Sequence, residues 1–136
     1  MEATPSMMQA IRDGQFLFNL NDTSQGIARN LVQGVSTRVF FSEHVMLSIV
    51  ELEPNMAGKV HNHPEEQWGL CLQGEAVREQ DGKEFTVRAG DFWCTPSNVM
   101  HTMRAGPQGV KVLDIFGPPR EDYKTPGSGY GPGEQR

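Results

Sequence analysis

A chain of 136 residues with 37% apolar content is long enough for one domain with a real core and too short for two comfortable ones. Its formal net charge of -5, with no cluster of Lys or Arg, excludes the electrostatic footprint of a nucleic-acid binder. Met1-Glu2-Ala3-Thr4-Pro5 carries neither a basic region nor an apolar run, and nothing later approaches a membrane span, so a cytoplasmic location without membrane contact is expected.

In chain order, residues 1–27 mix Gly14, Asn19, Asn21, Asp22 and Gly26 with the apolar run Phe16-Leu17-Phe18-Asn19-Leu20, which reads as an N-terminal arm with one short strand. From Val32 onward short apolar runs alternate with turn signals: Val39 to Phe41, Val45 to Leu52, Trp68 to Leu72 and Ala76 to Arg78. That spacing predicts an all-β domain over residues 28–123. Gln80-Asp81-Gly82-Lys83 predicts a two-residue hairpin, because Asp-Gly accepts the positive φ values such a turn needs. The last strand, Val110 to Phe116, should stop at Gly117-Pro118-Pro119, since proline cannot donate to a ladder. Residues 124–136 are rich in Gly and Pro and poor in apolar groups, which predicts a flexible tail, or one ordered only against a partner chain. Cys71 and Cys94 form no C-x-x-C pattern and read as buried free thiols.

Two segments carry candidate chemistry. The first is Gly58-Lys59-Val60-His61-Asn62-His63-Pro64-Glu65-Glu66-Gln67, closed by Gly74; the second is Gly90 to His101, with Pro96 and Asn98 between. His61 and His63, at i and i+2, point the same way on an extended chain, and Gln67 shares their parity. Neutral imidazole is the commonest protein metal ligand, and an amide oxygen can complete such a set. His61, His63, Gln67 and His101 are therefore the candidate ligands of one divalent transition metal, which could be Zn, Mn, Ni, Fe or Co. Glu66 has the wrong parity and Glu65 follows Pro64 into a turn, so both read as solvated charges; His44, without a partner motif, reads as a surface residue. With four neutral ligands the ion's charge is uncompensated, which favours Lewis-acid chemistry over stabilisation of a higher oxidation state.

A second constellation is Asp114-Ile115-Phe116-Gly117-Pro118-Pro119-Arg120-Glu121-Asp122. Asp114 and Phe116 share one face of the last strand, and an isolated Asp on an apolar strand is unfavourable unless paired or functional. Asp114 and Arg120 either pair with each other and their neighbours or serve a site.

As patterns, G-x2-H-x-H-x3-Q-x6-G and G-x5-P-x-N-x2-H resemble the two halves of the cupin signature over residues 28 to 123. This implies a jelly-roll barrel, the double-stranded β-helix. Gln67 stands where a carboxylate is usual, and Ala105 where Asn often follows the final His. D-x-F-x-P-x-R-E-D further resembles the pectin-degradation cupins, which convert 4,5-unsaturated uronates into linear 5-keto-4-deoxyuronates. The resemblance implies that Asp114 is an acid or base, Phe116 a wall for the sugar, and Arg120 a clamp for the uronate carboxylate. It leaves other small cupins open: isomerases, polyketide cyclases, dioxygenases and non-catalytic ligand binders.

If Gln67 points inward, Trp68, Leu70 and Leu72 form an outward apolar stripe that wants covering. A second subunit packed sheet against sheet or the N-terminal arm would cover it; a homodimer is the expectation, with a small-molecule substrate as the other partner.

Overall fold

The computed structural model describes residues 6–130. They form eight strands: β1 Ile27–Val32, β2 Val35–Phe41, β3 Met46–Leu52, β4 Glu66–Gln80, β5 Lys83–Arg88, β6 Phe92–Thr95, β7 His101–Gly117 and β8 Gly127–Ser128. The sheet runs β5-β4-β7-β3-β2-β1-β8, with β6 paired to β4 off that path. This is the expected all-β jelly roll.

The site is made by two long strands that bend. β4 and β7 pair antiparallel from Glu66↔Gly117 to Gln80↔His101, with bulges between Cys71 and Gln73 and between Gly74 and Ala76. A bulge puts two residues of one strand against one of its partner and sharpens the local twist. The long ribbon therefore folds over on itself, and its far ends meet. His61 and His101 then bridge reciprocally, with His61 N–H to His101 C=O at 3.1 Å and the reverse bond at 2.9 Å.

The expected hairpin is present, with Asp81 at φ 51° and Gly82 at φ 74° between Gln80 and its partner Lys83. Parity holds along the first half of β4: Gln67, Gly69 and Cys71 are buried, while Trp68 is 45% exposed. Gly69 must lack a side chain, since a Cβ there would lie 2.4 Å from the buried Trp93 ring. The core gathers Val39, Met46, Val50, Val87, Val112 and Phe116 with their neighbours. Cys71 is buried and Cys94 half-buried, both as free thiols. Among the described residues no helix is long and apolar enough to cross a membrane.

Both chain ends depart from expectation. The arm has no strand among its described residues; its regular element is the helix α1, Met7–Arg12. Six good helix formers follow Ser6, whose Oγ accepts the Gln9 N–H at 3.1 Å as an N-cap. Phe16 to Leu20 instead runs irregularly beside β2, where Phe18 packs on Phe40 at 5.1 Å. Arg38 donates to the Leu20 carbonyl at 2.6 Å and to that of Asp22 at 3.0 Å, in place of a ladder.

The tail is ordered on its own barrel as far as Tyr130. β8 pairs parallel with β1, and the buried Arg29 guanidinium donates to the carbonyls of Thr125, Ser128 and Gly129 at 2.8, 3.0 and 3.2 Å. Charge-assisted bonds supply the enthalpy that its apolar content could not. Residues 131–136 of the expected flexible tail lie outside the described residues.

Candidate metal centre and its cavity

The three histidines of the two motifs come together, all buried, with one ligand atom from each lying within 4.8 Å of the others. Their orientation is set locally. His61 Nδ1 bonds the Lys59 carbonyl at 2.8 Å, His63 Nδ1 that of Glu65 at 3.0 Å, and His101 Nδ1 that of Val99 at 2.8 Å. A carbonyl can only accept, so each Nδ1 carries the hydrogen and each Nε2 presents a lone pair to the centre. Burial holds all three imidazoles neutral, pushing His61 down to about 3, His63 to about 4 and His101 to about 2, with the nearby arginines adding to the effect.

Two details fit a cation. His101 Nε2 is buried without a hydrogen-bond partner. His63 Nε2 lies 2.9 Å from Gln67 Oε1, although the tautomer set by Glu65 makes both atoms acceptors. Gln67 is bonded to Asp114, which as a carboxylate can only accept, so the Gln67 amide N–H donates there and its oxygen stays with His63. Two lone pairs facing one another and a third left bare are what a shared positive ion resolves. The triad could hold a metal ion.

The sequence-predicted second constellation lies in the same place. Asp114, Phe116 and Arg120 line the cavity with His61, Gln67 and His101. Phe116 packs edge-on to His63 at 5.5 Å. Burial pushes the Asp114 carboxyl up to about 6, against the pull of Arg78, the Gln67 amide and Arg120. Asp114 and Arg120 form no ion pair. Arg120, 3% exposed, sits 4.1 Å over the Tyr123 ring, donates Nη2 to the Tyr130 carbonyl, and leaves Nη1 buried without a partner.

Other expectations hold. Glu66 is exposed, and His44 lies on the surface with its side chain 83% exposed. Glu65 is closer to the site than expected, its carboxylate 3.6 Å from His63 Nδ1 and half-buried.

Two site residues escaped sequence reasoning. Arg78 is buried at 5% exposure and lines the cavity from β4. Counting faces from Gln67 puts residue 78 outside, but the bulge between Cys71 and Gln73 changes the inward parity of β4 from odd at Cys71 to even at Ala76 and Arg78. Tyr130 comes from the Gly- and Pro-rich tail, where no periodicity marks a core residue, yet its ring packs on His61 at 4.3 Å. A Cβ at Gly58 would lie 2.5 Å from the Tyr130 hydroxyl, so the segment between β3 and β4 yields space for it. With Tyr130 in place the cavity measures about 50 Å³.

The Cupin domain family matches residues 48–116, from β3 to the end of β7. The chain belongs to the cupin family. Among solved structures, an RmlC-like cupin from Shewanella frigidimarina NCIMB 400 superposes with a TM-score of 0.70 and 26% identity, covering 80% of this chain and 95% of that one. KdgF from Halomonas sp. shares the fold at a TM-score of 0.68 and 22% identity, over 78% of this cupin and 98% of that chain. The oxalate decarboxylase OxdC of Bacillus subtilis (strain 168) is 26% identical over 106 residues, which is 73% of this cupin. This cupin spans only 28% of that relative's length.

Proposed function

We propose that this cupin is a metal-dependent enzyme that isomerises, by ketonisation, a small carboxylated sugar-derived molecule such as an unsaturated uronate. The observation that carries it is the convergence of Asp114, Phe116 and Arg120 on the cavity of the histidine triad. These are the residues at which the chain resembles the pectin-degradation cupins. His61, His63 and His101, with Gln67 as fourth ligand, would hold one divalent transition metal, which supplies Lewis-acid polarisation of vicinal substrate oxygens.

The chain's own groups divide the remaining work. Arg120 Nη1, buried and unpartnered, takes the substrate carboxylate, and the planar guanidinium suits that task. Phe116 gives the sugar an apolar wall beside His63. Asp114, raised to about 6, can both accept and return a proton near neutral pH. Ring opening gives the anomeric O–H proton to Asp114 Oδ as the ring C–O bond breaks to an aldehyde and an enolate. Return of that proton to carbon forms the C–H bond of the ketone, so a single proton is relayed and no oxidant enters. Gln67 positions Asp114 through its amide N–H while its oxygen faces the triad.

A cavity of about 50 Å³ admits a few waters, while ligand sites usually measure several hundred. Substrate entry therefore requires the Tyr130 strap to lift. Its hold on Arg120 is one backbone carbonyl, which a charged carboxylate can displace.

We further propose a homodimer through the outer face, where Leu47, Ile115 and Trp68 form one cross-strand row and Ile49, Leu113, Leu70 and Phe92 the next. Sedimentation of a monomer at micromolar concentration would remove the dimer.

The enzyme is tested by metal analysis of natively purified protein joined to an activity screen on unsaturated uronates. Turnover that is lost in Asp114→Asn and Arg120→Ala with metal retained supports the assignment. Full activity in both variants sinks it, and tight binding without turnover would make the protein a ligand-binding cupin instead.

A further inference from the structure

We propose that Arg78 is a second substrate-binding guanidinium, and that the ligand is a small molecule with two acidic oxygen groups, one held by Arg120 and the other by Arg78. The inference rests on the cavity beside the triad being the substrate cavity.

Arg78 is 5% exposed, and its hydrogen-bond partners among the described residues are neutral, Asp114 acting on it only at longer range. Nε donates to Gln80 Oε1 at 3.1 Å and Nη2 to Thr95 Oγ1 at 2.9 Å, while the guanidinium lies 5.8 Å over the Trp93 ring. No carboxylate among the described residues forms an ion pair with it. Buried charges are ordinarily paired, because their removal from water is so unfavourable.

A purely structural role would be to tie the end of β4 to β6, but that tie exists without the charge. Thr95 Oγ1 donates to Gln80 Oε1 at 2.5 Å, and Gln80 Nε2 donates to the Cys94 carbonyl at 2.9 Å. A neutral side chain of similar volume would leave both bonds in place.

The charge count points the same way. The cavity lining holds two buried guanidinium groups, Arg78 and Arg120, against one carboxylate, the half-buried Asp114. A surplus positive charge therefore precedes any metal ion, and it attracts an anion. The two cations are also held by different elements. Thr95, which holds Arg78, stands opposite Gln67 in the β4–β6 register, whereas Arg120 lies past the end of β7 against Tyr123. One carboxylate at Arg120 leaves Arg78 for a separate group on the same molecule, either a second carboxylate or an oxygen on which negative charge develops.

The test compares dicarboxylates with monocarboxylates: malonate, succinate and glutarate against acetate, propionate and butyrate. Binding is measured by calorimetry on the holoprotein, for wild type, Arg78→Met and Arg78→Lys at equal metal content. Dicarboxylates also chelate metal, so the diagnostic is the difference between wild type and Arg78→Met. We expect at least one dicarboxylate to bind wild type about tenfold more tightly than its monocarboxylate partner. Arg78→Met should abolish that preference while keeping monocarboxylate binding, and Arg78→Lys should retain part of it. An unchanged preference in Arg78→Met overturns the inference. If that variant does not fold, wild type still decides: no dicarboxylate favoured over its partner overturns it equally. The preference and its loss uphold the inference whether or not unsaturated uronates turn over, so the two proposals fail separately.

Discussion

The two walls of the cavity are built by opposite means. On the metal wall each imidazole is oriented by a carbonyl two residues away, at Lys59, Glu65 and Val99, so each ligand carries its own local support. On the charged wall support is distant: Arg78 leans on Thr95, seventeen positions along, and Arg120 on Tyr130, ten along. Asp114 depends on Gln67 from another strand. The metal wall is therefore insensitive to small shifts of the barrel, while the charged wall reports on its closure. A site proposed to hold a cation constantly and a substrate transiently would benefit from that division.

The comparison breaks most completely if its metal wall is removed. His101→Ala is expected to reduce bound metal by about 100-fold or more in affinity, read by elemental analysis and chelator competition. Retention of one equivalent would show that the three imidazoles are not the site. His44→Ala, on the surface, should leave metal content unchanged.

Next in size is the charged wall acting alone. Asp114→Asn is expected to lower kcat by about 100- to 10,000-fold with metal retained. Asp114 also titrates in the folded protein at about 6, above its ordinary value of 3.8, because burial disfavours the carboxylate. Its ionisation therefore weakens the fold as pH rises from about 4 to 6, and the deficit is complete above that range. Asp114→Asn should then stabilise the protein at pH 8 by about 2–3 kcal/mol, measured by urea denaturation. Equal loss of stability and activity would mean a structural role.

Histidine neutrality provides the third test. With folded values at about 3, 4 and 2 against 6.5, the unfolded state binds more protons below pH 6.5. The stability these groups contribute is fully present above 6.5 and falls as pH drops. In chelator-treated protein each contributes up to about 1.4 kcal/mol per pH unit between 6.5 and 5, outweighing the opposite trend of Asp114. A urea midpoint that does not fall between pH 7 and pH 5 would contradict the buried, neutral triad.

The smallest effect sharpens the strap. Arg29→Met removes the three bonds to Thr125, Ser128 and Gly129 while leaving the triad untouched. Hydrogen exchange should quicken at Gly129, whose N–H bonds the Asn30 carbonyl at 3.0 Å, with metal content unchanged. Unaltered protection there would place the hold of the strap elsewhere.

Alternation along β4 and the spacing of His61, His63, Gln67 and His101 were legible because both are local: strand parity and i, i+2 geometry need no knowledge of the fold. The turn at Asp81-Gly82 was legible for the same reason. Where locality failed, the reading failed with it. Phe16 to Leu20 has strand composition but finds no free edge, and Arg38 holds its carbonyls instead. Arg78 changed faces through a bulge between Cys71 and Gln73 that no residue pattern announced. Tyr130 became a buried residue through groups remote from it in sequence, with Arg29 bonding the Ser128 carbonyl, Arg120 its own carbonyl, and His61 packing on its ring. By itself, then, the sequence determined the fold class and the histidine wall, whose geometry is written within a few residues. Tertiary structure alone decided that Arg78 joins Asp114 and Arg120 and that Tyr130 closes over them, because the energy of a buried guanidinium depends on which distant acceptors barrel closure brings to it.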